Sequence, residues 1–244
     1  MKRQLFDITG TDRTTFLQGL ITNDVNRAKD GLLYAALLTP QGKFLSDFFL
    51  LDLGDHLLLD APEITAPDLI RRLTMFKLRA DVQITPSDTR VKRGTGPMPD
   101  GALPDPRHSA LGWRLYGTES GSDATDWDAI RVPHCIPETG VELIPNETYI
   151  LEAGFERLNG VDFKKGCYVG QEIIARMKHK TTLKKGYVTV AIDGAAPVGT
   201  PITSDGKPAG TLFTQAGGQA IAYLRFDRAK GELVAENASI TFET

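Results

Sequence analysis

Beyond Lys185 the chain changes texture, and this change limits its fold more than any other feature. Residues 187–192, 201–202, 210–213, 219–224 and 239–242 are short apolar-rich segments with Gly and Pro between them. That spacing predicts short strands arranged as a small all-β barrel or sandwich. The chain before it reads differently. A strand ends at Gly10, and Thr11 or Asp12 can cap a helix that carries Phe16, Leu17 and Leu20 on one face. Residues 32–38 form an unbroken apolar run, the pattern of a buried strand; 44–53 and 56–59 follow as strands joined through Gly54-Asp55. The spacing predicts a helix over 68–78 with Leu69, Ile70, Leu73 and Phe76 inward, then strands at 82–84 and 111–116 and a short helix over 126–132. Residues 149–158 read as one or two helical turns. Strands mixed with helices, without a regular βαβ repeat, argue for an α+β fold. We expect one domain over 1–182, built of two subdomains joined by the Gly/Pro-rich loop near 94–108, and a C-terminal barrel over 183–244.

With 41% apolar residues the chain can build a sizeable core, and a net charge of −3 argues against a nucleic-acid binder. Its two cysteines, Cys135 and Cys167, make neither a disulfide framework nor a zinc motif, and cannot supply four thiolates to a cluster. The four histidines (56, 108, 134, 179) are scattered, so no metal site is expected. The N-terminus has no apolar signal-peptide core, and no apolar run is long enough for a bilayer. The expectation is a soluble monomer of a reducing compartment: cytoplasmic, or the mitochondrial matrix in a eukaryote.

Chemistry concentrates around Cys167. Ile173, Ile174 and Met177 give the following segment the apolar face of a helix. A cysteine at a helix entry meets unpaired N–H groups and the positive end of the dipole, and Lys164 and Lys165 precede it. Both effects favour a reactive thiolate. A small buried cysteine packing the helix start is the competing reading. Between 164 and 185 stand seven Lys/Arg (164, 165, 176, 178, 180, 184, 185) against Glu172 alone, which suits either a solvated face or an anionic partner. Trp113 and Tyr116 suit a strand core or a stacking surface for a flat ring.

The octapeptide Lys165-Gly166-Cys167-Tyr168-Val169-Gly170-Gln171-Glu172 resembles the K-G-C-[YF]-x-G-Q-E signature of the YgfZ family, folate-binding relatives of the glycine-cleavage T-protein. Residues 16–25 (FLQGLITNDV) are similar to that family's F-L-Q-G-x-x-T-N-D-V, and 40–43 to its P-Q-G-K turn. Asp105-Pro106-Arg107 with 111–114 resembles its D-P-R…L-G-x-R, and 131–137 its R-x-x-x-G-I-P. The resemblance implies a ring of subdomains around a folate-sized cavity with the barrel appended. It implies tetrahydrofolate, or a polyglutamated derivative, as cofactor, and iron–sulfur client or scaffold proteins as partners. Cys167 and Lys165 are then the candidate catalytic pair, supported by Lys164, Gly166, Tyr168, Gly170, Gln171, Glu172 and Arg176. Asp47, Asp60, Trp113, Arg114 and Arg131 are the expected folate contacts. Two departures stand out: Cys135 replaces the Gly of G-I-P, and Lys180-Thr181 replaces an Arg-Gly after His179. Aminomethyltransferases carry paired Asp residues where this chain has Ser46-Asp47, so one carboxylate remains. The function implied is a tetrahydrofolate-binding accessory protein for assembly or repair of iron–sulfur enzymes; the alternative is an aminomethyltransferase-like enzyme acting on a small amine. Whether there is catalytic turnover stays open.

Overall fold

A computed structural model describes residues 2–180 and 182–242, with Lys180 as backbone only. Thr181, one of the departures noted above, lies outside the described residues. The N-terminal half is built on an antiparallel sheet of β1 (Arg3–Thr9), β2 (Leu33–Leu38), β3 (Phe44–Asp52), β4 (Leu57–Pro62) and β5 (Gln83–Pro86), in the order β2-β3-β4-β1-β5. Every residue of β2 is buried, which accounts for its unbroken apolar run. Successive strand side chains point to opposite faces. Leu33, Ala35 and Leu37 therefore join one core, beneath α1 (Arg13–Gln18) and α2 (Ala66–Phe76). Tyr34, Ala36 and Leu38 join a second core with Phe44, Phe49, Phe155 and Ile174. The sheet thus divides two apolar regions.

A smaller sheet pairs β6 (Arg90–Gly94), β7 (Leu103–Pro104), β8 (Trp113–Gly117) and β9 (Gly121–Ser122) in the order β7-β8-β6-β9. It is followed by α3 (Trp127–Arg131) and, after a long run of turns, α4 (Gln171–Lys180). The C-terminal segment closes as a barrel of β10 (Lys185–Asp193), β11 (Pro201–Ser204), β12 (Lys207–Ala216), β13 (Gln219–Arg225), β14 (Leu233–Ala235) and β15 (Ala238–Thr241). Its interior is mainly Ala, Leu and Ile, including Ala209, Leu212, Ala220, Ala222 and Leu224, and small residues suit so narrow a barrel.

Several expectations need correction. β6 reads RVKRG, a charged segment just before the expected 94–108 loop, and neither it nor β14 is expected from the sequence pattern. Residues 149–158 form consecutive hydrogen-bonded turns, with Ala153 N donating to Tyr149 O and Leu158 N to Gly154 O, in line with the one or two helical turns expected. Asp12 does not cap α1 with its side chain; its carboxylate accepts from the Asp81 amide instead. The helix expected directly after Cys167 begins only at Gln171. A dipole acts within about the first turn of a helix, so Cys167, in the preceding loop, is not a helix-entry residue.

Candidate functional site

Asp47 sits on the β3 face that looks toward the second core, its chain neighbours Ser46 and Phe48 pointing the other way. Ser46 Oγ lies 2.7 Å from Thr65 Oγ1 at the start of α2, whereas Asp47 Oδ2 accepts from the Tyr34 hydroxyl at 3.0 Å and Oδ1 accepts from Thr139. Asp47 forms part of the wall of a cavity of about 880 Å³. Further wall comes from the ends of β1, β4 and β5 and the turn after β5, from β6, β8 and β9, from Arg107 and Leu111, from both ends of α3 and from residues 137–139.

The wall is strongly cationic. It contains Lys2, Arg3, Arg90, Arg93, Arg107, Arg114 and Arg131 against Asp47, Glu63, Asp88 and Glu138. Three of these arginines surround one ring: Arg3, Arg107 and Arg114 lie 5.3, 5.0 and 4.0 Å from the centroid of Phe49. Two buried carboxylates hold them there. Asp60 accepts from Arg3 Nε at 2.6 Å, Arg114 Nη1 at 3.3 Å and the Tyr116 hydroxyl at 2.9 Å. Asp105 accepts from Arg107 Nε and Nη2 at 2.9 and 2.8 Å and from Arg114 Nε at 3.0 Å. Burial on its own would raise the Asp105 pKa; the guanidinium of Arg107, then that of Arg114, outweighs it and holds the carboxyl well below the usual range. Arg131 is fixed toward the barrel by Glu142 and Thr214, at 3.1 and 3.0 Å, and by Asp128. Arg93 differs: its guanidinium lies over the Trp127 ring, 3.9 Å from the centroid. Burial and then the charge of Arg114 draw its pKa down to about 10.

Of the five expected folate contacts, Asp47, Arg114 and Arg131 line this cavity. Asp60 and Trp113 do not. Asp60 is the internal counter-ion behind the arginines, and Trp113 packs on Gly94 with its Nε1 donating to Gly96 O at 3.1 Å. The residues that sequence reasoning missed are Arg3, Arg93, Arg107, Trp127, Tyr34 and Thr139. Arg107 belongs to the D-P-R segment already noted, so a signal existed for it. For the Arg93–Trp127 pair there was none, because only the fold brings them together.

Cys167 is exposed, and among the described residues it is not part of the cavity wall. The amine of the lysine before its glycine is directed at the backbone of another segment. Lys165 is buried, with its Nζ donating to Ile21 O at 2.7 Å and Asn23 O at 2.8 Å. Burial lowers its pKa to about 8, with Asp24 and Asp162 opposing. Lys164 remains exposed beside the thiol. Arg176 pairs with Glu172 at 3.0 Å, Lys178 with Glu156, and Lys185 lies over the Tyr223 ring, so the basic run is in part locally neutralised. Tyr168 is buried in the second core, where burial pushes its phenol up to about 12. Cys135 is buried with Val132 against Ile221 of the barrel, outside the cavity wall, and burial pushes its thiol up to about 11. No group of three or more His, Cys, Asp or Glu among the described residues could hold a metal ion, and no helix is long and apolar enough to cross a membrane.

The crystal structure of the glycine cleavage system aminomethyltransferase T from Bartonella henselae superposes with a TM-score of 0.75 over 98% of this chain and 81% of that one, at 13% identity. The chain has the aminomethyltransferase fold. Residues 184–244 match the model of the CAF17 C-terminal β-barrel domain, which agrees with the six-stranded barrel. The sequence homologues of this aminomethyltransferase-like chain are iron–sulfur cluster assembly factors. The mitochondrial factor IBA57 of Mus musculus is 28% identical over 95% of this chain and 78% of its own length. The IBA57 homolog of Neurospora crassa is 31% identical over 80% of this chain and 54% of its own length. The sequence similarity therefore lies with assembly factors of this group.

Proposed function

We propose that the protein is a reduced-folate-binding accessory factor for iron–sulfur cluster assembly or repair, with Cys167 as its working thiol. The observation that carries the proposal is the cationic cavity with one retained acid, Asp47, in a chain whose homologues are named as iron–sulfur cluster assembly factors. The cavity suits a folate in three respects. Its volume of about 880 Å³ is that of a site for a ligand of this size. Asp47, already held by Tyr34 and Thr139, offers carboxylate oxygens to the N–H donors of a pterin. The arginine excess favours the carboxylates of a glutamyl tail, and the Arg93–Trp127 pair offers a stacking surface for a ring. A bound reduced folate would supply one-carbon chemistry; the protein's own contribution is to orient it and neutralise its charge.

Cys167 lies elsewhere and is solvent-exposed. A thiolate there is a soft ligand for iron or a cluster edge. The remaining ligands would come from a partner chain, since the second thiol, Cys135, is buried. The compartment would follow that of the mitochondrial homologues if the source is eukaryotic. An aminomethyltransferase-like turnover on a small amine is the second reading, favoured by Asp47 alone. The test is paired. Titration of the purified protein with tetrahydrofolate is expected to raise its melting temperature by mass action. Expression in cells lacking the protein is expected to restore iron–sulfur enzyme activity, and Cys167→Ala is expected not to. Absence of any thermal shift at millimolar folate would remove the ligand from the proposal; a fully active Cys167→Ala would remove the thiol.

A further inference from the structure

Lys165 is buried in the loop that carries the exposed Cys167, and both carbonyls it binds, Ile21 O and Asn23 O, belong to one N-terminal turn. The same turn grips the loop's approach at three further points. Thr22 Oγ1 donates to Gly160 O at 2.7 Å, Asn23 Nδ2 donates to Asn159 O at 2.8 Å, and the Asp162 amide donates to Thr22 O at 3.0 Å. The far end of the loop is held by close packing. Gly170 has φ +84°, and a Cβ there would lie 2.6 Å from Thr39 O, so its backbone is seated on the 39–42 turn. Between the two attachments nothing outside the chain neighbours comes within 4 Å of where a Gly166 Cβ would stand. Cys167 is therefore held out on a short span between buried Lys165 on one side and, on the other, the buried Tyr168 ring and the seated Gly170. The two N-terminal motifs that the function did not otherwise use, around Thr22-Asn23 and around Gly42, supply the fastenings.

We propose that Lys165 is a positioning residue: its amine latches the 161–170 loop to the Ile21–Asn23 turn and so presents the Cys167 thiol in a fixed place to a protein partner. This rests on the reading of Cys167 as the working thiol. A loop already ordered need not be ordered on docking, so a latch strengthens association without adding a contact. It also explains a lysine beside the cysteine whose amine is spent on backbone carbonyls. Those carbonyls are inside the protein, where a lost donor leaves acceptors unsatisfied.

The experiment compares full-length wild type, Lys165→Met, Lys165→Arg and Cys167→Ala. Amide hydrogen exchange, iodoacetamide labelling of Cys167 against pH, and restoration of iron–sulfur enzyme activity in cells lacking the protein are the readouts. Lys165→Met is expected to speed exchange in 161–170 by about tenfold or more while β3 is unchanged, as local opening without global loss. The pH profile of Cys167 labelling is expected to stay as in wild type, and cellular activity to fall. Lys165→Arg, which can still donate to both carbonyls, is expected to recover much of both. Unchanged exchange in 161–170 in Lys165→Met would overturn the latch, whether or not activity falls. So would a labelling profile displaced to higher pH, since the lysine would then act on the thiol by charge. A fully active Cys167→Ala would instead sink the working-thiol reading, and the exchange data would still decide the latch. If Lys165→Met does not fold, Thr22→Val removes one fastening; faster exchange confined to the loop supports the latch and none overturns it.

Discussion

The cavity and the Cys167 loop are held by opposite means. The cavity wall is a lattice of side-chain charges: Asp60 and Asp105 tie Arg3, Arg107 and Arg114 around Phe49, and Glu142 ties Arg131 to the barrel. The loop is held by neutral backbone acceptors and packing: Lys165, Thr22 and Asn23 donate to backbone carbonyls, Gly170 seats against Thr39, and the Tyr168 ring is buried in the second core. One arrangement fixes the charged wall of a cavity. The other fixes the position of an exposed thiol. The comparison also separates the two cysteines: Cys167 is exposed on its loop, whereas Cys135, at the barrel junction, is buried with its thiol pKa pushed up to about 11.

The largest effect expected from this contrast is functional. Cys167→Ala should abolish restoration of iron–sulfur enzymes yet leave tetrahydrofolate affinity, measured calorimetrically, as in wild type. A loss of folate affinity would join the two regions into one site. Next comes Asp105→Ala, which strips Arg107 and Arg114 of a shared buried partner and should destabilise the fold by roughly 3–5 kcal/mol. Denaturant unfolding measures it, and a loss below 1 kcal/mol would show that the charge lattice is dispensable. The same carboxylate has a pH signature. Its folded pKa is depressed, so its contribution is complete above the ordinary carboxylate pKa of about 4 and is lost as pH falls through the folded value. The wild-type melting temperature should therefore drop steeply below about pH 4, and Asp105→Asn should flatten that slope. A smaller effect is expected from Asp47→Asn. The lost charged hydrogen bond should weaken folate binding by about 1.5–3 kcal/mol, with Cys167 labelling unchanged. The smallest concerns Cys135, which should react with iodoacetamide at pH 8 roughly 100-fold more slowly than an ordinary exposed thiol; comparable rates at the two cysteines would contradict its burial.

How much of this the sequence discloses depends on what holds each part. The barrel was readable because its strands are joined by local hairpins with Gly turns, and β2 because a strand buried on both faces shows as an apolar run. β6 was not, since a strand that lends Arg90 and Arg93 to a cavity is indistinguishable in composition from a solvated loop. Asp47 was found through resemblance to a family motif, with no local pattern marking it. Asp60 and Trp113 lie outside the cavity wall because direction, not identity, decides: each side chain is turned into the protein. Direction matters for Lys165 as well. Proximity in sequence to Cys167 suggested a charge acting on sulfur, and only the fold discloses that its amine reaches back to Ile21 and Asn23.

The central claim is that folate cavity and thiol are separate sites of one protein, and the most direct measurement is the rate at which Cys167 is alkylated with and without saturating tetrahydrofolate. Mass spectrometry of the labelled peptide, with Cys135→Ser removing the second thiol, reads it cleanly. Because Cys167 is exposed and outside the cavity wall, the rate should be the same in both conditions while the melting temperature rises with folate. Strong protection of Cys167 by folate would contradict the account and put the thiol at the ligand.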